Sequence, residues 1–359
     1  MRIETLLGEA WRNVVSGTAR VTALSLVFGV LLTSLTLVDA VVVGGIVRDA
    51  RDYQARGAAT VTVIAPQRIS GVACESLARI DGVESVGALR ASDDELKLAV
   101  LPRSPVPIHE VSPGFAATLD ATVHGAAGVF VPTDVIEATG VETGDFVMTD
   151  GGLASIAGTY AYPSDGRRAG FGWVMLVPVA EAGTFDECWV RVWPWNDGMQ
   201  SVIRGAVLTV SESGRDNVEV IQSQLNTQLG ARFDGYDRFS ERVTRYAPLV
   251  ALLVGGVLAS LTVRIRRLEL ASRLHDGSRR RDVLLQAVLE NLAWLIPTFL
   301  LASAVALTYA STIGAPDATH IANRSFVTTA AGLLGGLLGT VIAVPLVRER
   351  HLFVYFKDR

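Results

Sequence analysis

The chain has 359 residues, a net charge of −4 and a hydrophobic content of 50%, and its mean hydropathy is +0.37. This composition is too apolar for an ordinary soluble protein and too polar for a chain that lies entirely within a membrane. The length allows two or three domains. The basic residues lie beside apolar runs and are not interleaved with aromatic ones, which argues against nucleic acid as a partner.

Residues 1–20 predict an amphipathic helix that lies in a membrane interface. Its apolar side chains recur at helical spacing, and Trp11 would lie at the level of the lipid headgroups. The apolar run that follows, 21–47, is too long for the core of a signal peptide and long enough to span a bilayer. The arginines within residues 1–20 place the start of this first span on the cytoplasmic side.

Asp39 is the only charged residue in the run 21–47. An ionisable residue within a bilayer is by default a candidate functional group. Because about twenty helical residues cross the hydrocarbon core, counting from Val21 places Asp39 near the outer interface. The simpler interpretation is therefore an interfacial or partner-facing carboxylate.

Residues 48–245 carry 17 basic and 26 acidic residues, a net charge of −9, which leaves +5 for the rest of the chain. Since positive charge is concentrated on the cytoplasmic side of membrane proteins, this segment is predicted to be a large extracytoplasmic domain. Strand and helix signals alternate in it, as in an α+β domain. Predicted strands are 60–64, 83–89, 96–101, 106–111, 129–131, 146–149, 153–160, 174–179, 188–192 and 206–210, with turns at 144–145 and 150–152. Predicted helices are 74–80, 133–139 and 217–229.

Cys74 and Cys188 are the only cysteines. Both lie in the predicted external segment, where oxidation to a disulfide is possible. Their separation in sequence carries no information about geometry. A disulfide and two free thiols therefore remain equal alternatives at this point.

Three tryptophans, Trp189, Trp193 and Trp195, surround Pro194 in the same segment. Such an aromatic cluster is able to hold a lipidic or peptide ligand. More often it belongs to a hydrophobic core or to a membrane-facing rim. A little further along, residues 237–246 predict a helical stalk that runs straight into the second span, 246–263, and would transmit motion along it.

The loop 264–282 lies between the second span and a third apolar run, 283–309. Residues 264–281 contain seven arginines against two acids, which places the loop on the cytoplasmic side. Its residues recur at helical spacing until Gly277 and Ser278 break the pattern. The loop therefore predicts a helix that leaves the membrane, turns and returns. From charge alone, the arginines would equally serve as a topology signal in contact with lipid headgroups.

The third span contains Glu290, about two turns from its cytoplasmic end. This carboxylate is expected either to reach the interface or to be paired, in the more specific case with a loop arginine. A short external loop, 310–325, leads to the fourth span, 326–347, and the basic tail 348–359 is predicted to be cytoplasmic. The fourth span has small residues at four-residue spacing, which favour close helix packing within one subunit or across a dimer. These residues are Gly332, Gly335, Gly336 and Gly339.

The sequence contains none of the motifs that would make this chain a catalyst by itself. There is no GxxxxGK[ST] phosphate-binding loop, no metal-ligand spacing of His, Cys or carboxylates, and no G-x-S-x-G nucleophile elbow. We therefore expect no enzyme activity, metal or cofactor in this chain.

Three parts of the basic loop and the span after it resemble the hallmark of FtsX/MacB-type ABC transporter permeases. They are Arg266-Arg267-x-Glu269-Leu270, then Gly277-Ser278-Arg279-Arg280, then Leu284-Leu285 and Glu290. The opening segment 9–32 and the turn at 144–145 are also similar to that family. The run Arg273-Leu274-His275-Asp276 departs from the family, which is more apolar there.

The resemblance implies a four-helix membrane protein with an α+β extracytoplasmic domain inserted between the first and second spans, and with both termini inside a bacterial cytoplasmic membrane. It implies that the loop is a coupling helix that docks on a separate ABC-type ATPase, which binds ATP. It further implies a second permease subunit, identical or different, contact with membrane lipids, and an accessory or substrate-binding extracytoplasmic protein. The coupling residues by this resemblance are Arg266, Arg267, Glu269, Gly277, Ser278, Arg279 and Arg280.

Three functions remain open from the sequence. The first is a permease that acts by mechanotransmission and exports or extrudes a peptide, lipid-like compound, antibiotic or lipoprotein. The second is a signalling permease that activates a cell-wall hydrolase. The third is a membrane-anchored receptor or adhesion module without an ATPase, which leaves the pattern of the loop unexplained.

Overall fold

The computed structural model describes residues 3–96, 105–125, 127–140, 146–149, 152–208, 219–314 and 317–348. These residues form two compact units. We call Met1–Asp49 together with Asp234–Arg359 the helical unit, and Ala50–Phe233 the sheet unit. The predicted strand 96–101 beyond Leu96, the predicted turns at 144–145 and 150–151 and the predicted tail beyond Arg348 lie outside the described residues.

The described chain contains eleven α-helices and ten strands. The helices are α1 (Ile3–Val15), α2 (Val21–Ala55), α3 (Gly71–Ser76), α4 (Phe115–Thr118), α5 (Thr133–Thr139), α6 (Met199–Arg204), α7 (Gly235–Glu241), α8 (Ala247–Ile265), α9 (Arg267–His275), α10 (Arg280–Ile313) and α11 (Asp317–Ala343). Short 3-10 turns occupy Leu77–Arg79, Val243–Tyr246 and Val344–Leu346. The strands are β1 (Thr60–Ser70), β2 (Val83–Leu96), β3 (Val106–Val111), β4 (Thr122–Val123), β5 (Val129–Pro132), β6 (Phe146–Thr149), β7 (Gly152–Tyr160), β8 (Met175–Pro178), β9 (Thr184–Val192) and β10 (Ile221–Gln224).

Four helical segments are long and apolar enough to cross a membrane. They are Val21–Ala55, Val243–Ile265, Arg280–Ile313 and Asp317–Leu346. The fourth begins nine residues before its predicted start, so that helix occupies most of the loop predicted at 310–325. The physical reason is that Ile321 packs with Ala310 and Ile313 of α10 in a buried cluster, which extends the helix pair beyond the purely apolar run.

The glycines of α11 bring that helix into close contact with other helices of the same chain. A Cβ atom added at Gly335 would lie 2.0 Å from the Leu252 carbonyl oxygen, and one at Gly339 would lie 2.2 Å from that of Gly256. Gly332 faces Leu32 of α2, while Gly336 faces Leu295 of α10. Because any side chain would separate these backbones, the small residues allow α8 and α11 to pack directly.

The sheet unit is built on one mixed sheet with the strand order β10-β1-β9-β2-β3-β8-β5-β7-β4, and β6 pairs with β7. The β3–β8 and β5–β7 pairs are parallel, and the other strand pairs are antiparallel. In chain order all ten strands fall between α2 and α8. Alternate residues of β1 and β9 are buried against α3 and α6, which forms the largest core of this unit.

Cys74 on α3 and Cys188 on β9 are joined by a disulfide, with their Cα atoms 6.0 Å apart. Both residues are fully buried in the core between α3 and the sheet. The bond links positions 114 residues apart. A cross-link that closes so long a loop is expected to stabilise a fold by about 5 kcal/mol in the chain-entropy treatment.

Two predictions for the sheet unit are wrong. The helix predicted at 217–229 is replaced, within the described residues, by strand β10, which pairs antiparallel with β1. The edge of β1 leaves unpaired backbone groups that a strand satisfies and a helix would not, and Leu225 is buried directly after it. The strand predicted at 206–210 is reduced in its described part to a single bridge between Val207 and Ile69.

The continuous stalk predicted at 237–246 is also wrong. Helix α7 ends at Glu241, and Arg242 has extended backbone angles, with φ −58° and ψ 137°. A 3-10 turn follows before α8 begins with Pro248 in its first turn. Proline has no N–H to continue a helical ladder and its ring clashes with the preceding turn, so a straight helix through this point is disfavoured.

Candidate functional site: the arginine-rich turn and the polar cluster behind it

The basic loop forms a short helix and a tight turn between two apolar helices. Arg266 separates α8 from α9, with φ −95° and ψ 9°. The helix α9 ends where Gly277 adopts φ +88°, a conformation that favours glycine, and the Ser278 N–H donates to the Arg273 carbonyl at 3.1 Å. Arg279 is extended and caps the start of α10. We call residues 275–281 the turn.

Apart from the half-buried Arg267, the arginines of this segment divide into two sets. The side chains of Arg266 and Arg273 turn inward and make ion pairs. The other set is exposed and gives the turn its positive surface. It comprises Arg264, Arg279, Arg280 and Arg281. The structure thus separates arginines that support the loop from arginines that are available to a partner.

Arg266 is held by carboxylates from two helices. Its Nε and Nη2 donate to Glu269 at 2.9 and 2.7 Å, and its Nη1 donates to Glu290 of α10. Burial by itself would lower the pKa of the Arg266 guanidinium, but its bonds and charge attraction to the two glutamates outweigh burial and raise the pKa above its ordinary value. The pairing of Glu290 with a loop arginine, the more specific sequence-based expectation, is what the structure shows.

Burial also acts on Glu269, where it would raise the carboxyl pKa. The hydrogen bond and charge of Arg266, together with the charge of Arg273, outweigh burial and lower this pKa below its ordinary value. Glu269 therefore stays ionised between two arginines, since Arg273 Nη2 lies 3.3 Å from its Oε1. This double pairing fixes α9 against the end of α8.

The N-terminal helix and α10 contribute further polar groups to the same cluster. Arg273 lies 3.2 Å from Glu9 of α1 and donates to Gln286, whose amide in turn donates to Glu290 at 3.0 Å. Asn13 of α1 donates to the same Glu290 oxygen at 2.6 Å. We define these seven residues as the polar cluster. They are Glu9, Asn13, Arg266, Glu269, Arg273, Gln286 and Glu290.

A second set of hydrogen bonds continues from the polar cluster into the apolar part of the helices. Asn291 accepts from Trp294 at 2.9 Å and from Thr262 of α8 at 3.3 Å. Its amide donates to Thr340 of α11 at 2.7 Å. Because these groups are largely buried and mutually satisfied, they join α8, α10 and α11 without leaving a charge in the bilayer region.

The seven residues that the resemblance assigned to coupling do not form one patch. Arg266 and Glu269 lie within the polar cluster and Arg267 is half-buried. Gly277, Ser278, Arg279 and Arg280 form the turn itself. Sequence reasoning missed the contributions of α1 and of Gln286 and Asn291, although polar residues four apart in an otherwise apolar run are a signal for such a cluster.

The opposite end of α8 contains a separate buried ion pair. Arg242 Nε lies 3.3 Å from Asp39 Oδ1, and each side chain is 3% exposed. Arg242 also donates to the Phe239 carbonyl, and its guanidinium stacks on the Phe239 ring at 3.9 Å. Asp39 is therefore not a partner-facing carboxylate, because an arginine of the same chain neutralises it inside the protein. Its position near the outer interface of the membrane stays a prediction.

The tryptophans of the sheet unit do not share a ligand site. Trp189 is fully buried, donates to Glu187 at 2.7 Å and packs on Phe115 and Phe171. Trp193 instead packs on Tyr53 and Phe233. These rings are therefore parts of separate hydrophobic clusters. In the described part of the chain, no group of three or more His, Cys, Asp or Glu is placed to hold a metal ion.

No protein-family model and no curated protein matches this sequence. Among solved structures, the fold resembles the periplasmic region of MacB from Actinobacillus actinomycetemcomitans, at 10% identity over 43% of this chain and 86% of that one, with a TM-score of 0.33. It also resembles the extracellular domain of the noncanonic ABC-type transporter YknZ from Gram-positive bacteria, at 12% identity over 40% of this chain and 88% of that one, with a TM-score of 0.29. A third is a domain of a protein described as a permease from Porphyromonas gingivalis, at 14% identity over 48% of this chain and 92% of that one, with a TM-score of 0.32.

Proposed function

We propose that this chain is the permease subunit of an ABC transporter complex of the FtsX/MacB type. It acts by mechanotransmission, driven by a separate ATPase, and exports or extrudes a peptide, lipid-like compound, antibiotic or lipoprotein. One observation carries the proposal: an exposed basic turn is supported by a partly buried polar cluster that ties it to the helices on either side. A turn that served only as a topology signal would not need such support.

The polar cluster supplies the rigidity that force transmission requires. Arg266 and Glu290 are both largely buried, and removing one partner of a buried ion pair typically costs about 3–5 kcal/mol. Displacing α9 away from α10 would break this pair and the bonds of Gln286 together. We therefore expect α9, the end of α8 and the start of α10 to move as one body when a partner presses on the turn.

The proposed arrangement in the membrane follows the charge rule. The turn, the N-terminus and the C-terminus face the cytoplasm of a bacterial cell, and the sheet unit lies beyond the cytoplasmic membrane. The Cys74–Cys188 disulfide supports an extracytoplasmic location of the sheet unit, since disulfides persist in oxidising compartments. ATP would be bound by the ATPase subunits, and a second permease subunit would complete the complex.

Co-purification tests the docking surface. The tagged full-length chain is produced with an ABC-type ATPase of the same organism, and the ATPase retained after solubilisation is measured. Arg279→Glu, alone and with Arg280→Glu, should remove most of the retained ATPase because it reverses the charge of the exposed turn. Arg264→Glu is the matched control, since it reverses an exposed arginine of the same loop outside the turn. Equal retention by all variants would contradict the proposal.

A further inference from the structure

An apolar cavity of about 260 Å³ lies next to the turn, between the start of α10 and the end of α11. Its apolar walls come from three segments of the helical unit. They are Leu274, Val283, Leu284, Val344, Pro345 and Val347. Val283, Val344 and Val347 also belong to a buried cluster beneath the cavity, so packing fixes the walls in place before any ligand binds.

The mouth of the cavity is basic. Arg280 and Arg281 line it and are exposed, and in the described part of the chain neither makes an ion pair. Among the residues that the structure describes, no acidic side chain belongs to the lining. The cavity thus combines an apolar interior with two adjacent guanidinium groups at its opening, and a matching ligand must carry an apolar chain attached to an anionic group.

The level of the cavity along the helices narrows the choice of ligand. Helix α10 begins at Arg280 and becomes apolar from Val283, while α11 ends at Ala343. In the proposed arrangement both helices therefore reach the lipid headgroups at this level. Basic pockets between helices on the cytoplasmic side suit anionic lipid headgroups. An apolar cavity of about 150 Å³ holds one benzene molecule, so this larger one has room for part of an acyl chain.

We propose that the cavity binds one anionic phospholipid of the cytoplasmic leaflet, with an acyl chain against Leu284 and Val347 and the phosphate between Arg280 and Arg281. This inference rests on the proposed cytoplasmic orientation of the turn and does not depend on ATPase docking. The lipid would fill the gap between α10 and the segment after α11. Arg279 would then face a protein partner and Arg281 would face lipid, while Arg280 belongs to both surfaces.

Binding of phosphatidylglycerol to the purified full-length chain in detergent tests the site, with phosphatidylcholine as the neutral comparison. We expect one saturable phosphatidylglycerol per chain, bound about thirtyfold more tightly than phosphatidylcholine because two arginines face its charge. Arg280→Gln with Arg281→Gln should abolish this preference. Leu284→Trp should block binding by filling the cavity, while Leu285→Trp, at an exposed neighbour that does not line the cavity, should leave it unchanged.

Several outcomes would overturn the inference. Equal affinity for the two lipids, or unchanged binding in the double arginine variant, would exclude an anionic lipid site. Because Arg280→Gln and Arg281→Gln change exposed side chains, that variant still tests the site if Leu284→Trp lowers thermal stability. Full competition by inorganic phosphate would show that free anions suffice. Tighter lipid binding after truncation beyond Arg348 would identify the C-terminal segment as the occupant. Arg279→Glu should leave lipid binding intact, so failure here and failure of ATPase docking are separable.

Discussion

The candidate span that contains α8 is flanked by Arg242 and Arg266, each at a break in the helical chain, and the two arginines are paired differently. Arg266, at the end that the proposed orientation makes the inner one, is shared by two carboxylates and belongs to hydrogen bonds that reach α1, α9 and α10. Arg242, at the outer end, has one carboxylate, Asp39, and its buried Nη2 has no hydrogen-bond partner among the described residues. One end of the same helix is thus held by a network and the other by a single pair.

This difference bears on where motion is taken up. A buried network resists displacement because many bonds must break together, whereas an isolated buried pair opens when one contact is lost. The outer end also contains the break between α7 and α8. We therefore expect bending to concentrate near Arg242, while the inner end moves as a rigid block.

Arg266→Ala should have the largest effect. It leaves Glu290, which is 5% exposed, without its cation, and we expect a loss of about 3–5 kcal/mol in unfolding free energy. Arg264→Ala, at an exposed position of the same segment, should change stability by less than about 0.5 kcal/mol. Thermal unfolding of both variants in detergent measures the difference, and similar melting temperatures would show that the inner network is not a support.

Asp39→Leu should cost nearly as much, about 3 kcal/mol, because it strands the buried charge of Arg242. The double variant Asp39→Leu with Arg242→Met should recover most of that stability, since replacing an isolated buried pair by apolar residues is often neutral. The matched inner pair, Arg266→Met with Glu290→Leu, should not recover its stability, because Glu269 loses Arg266 and Gln286 loses Glu290 while both keep only Arg273. If the two double variants recovered the same unfolding free energy in a double-mutant cycle, the pairing of Arg266 would not differ from that of Arg242.

Gly335→Ala tests whether α8 is also held along its length. The added methyl would lie 2.0 Å from the Leu252 carbonyl oxygen, so α8 and α11 must separate, at a cost of about 1–3 kcal/mol. Gly45→Ala is the control, because nothing lies within 4 Å of a Cβ at that position in α2. An alanine there should be neutral or stabilise the helix by up to about 1 kcal/mol. Equal melting temperatures of the two variants would contradict this account.

The smallest expected effect is a pH dependence at Glu269. Its pKa is lowered in the folded protein, so its contribution to stability is present above the pKa of the unfolded chain and is lost as the pH falls through the folded value. Because this side chain is about one third exposed, we expect only about 0.5–1 kcal/mol. The stability difference between the native chain and Glu269→Gln should be greatest at neutral pH and vanish in acid; a difference independent of pH would argue against the pairing.

The sequence predicts those features that depend on composition and local conformation. Apolar runs locate four helices, and Gly277 marks the end of α9 because its left-handed conformation is a local requirement. The contacts of Glu9 and Asn13 with residues more than 260 positions away depend on how the helices approach one another. The apolar residues around Ile221 recur at helical spacing and led to the wrong prediction of a helix. Backbone pairing with β1 outweighs this local helical preference and makes the segment a strand.

The length of α8 has a mechanical consequence. Its 19 residues span about 29 Å at 1.5 Å per residue, which nearly equals the hydrocarbon thickness of a bilayer. In the proposed arrangement Arg242 and Arg266 lie beyond the two ends of this apolar helix, so sliding along the membrane normal would carry an arginine toward the hydrocarbon. If the chain transmits force as proposed, such a helix would tilt or rotate more readily than slide, and a push on the turn would emerge at the other end as an angular displacement.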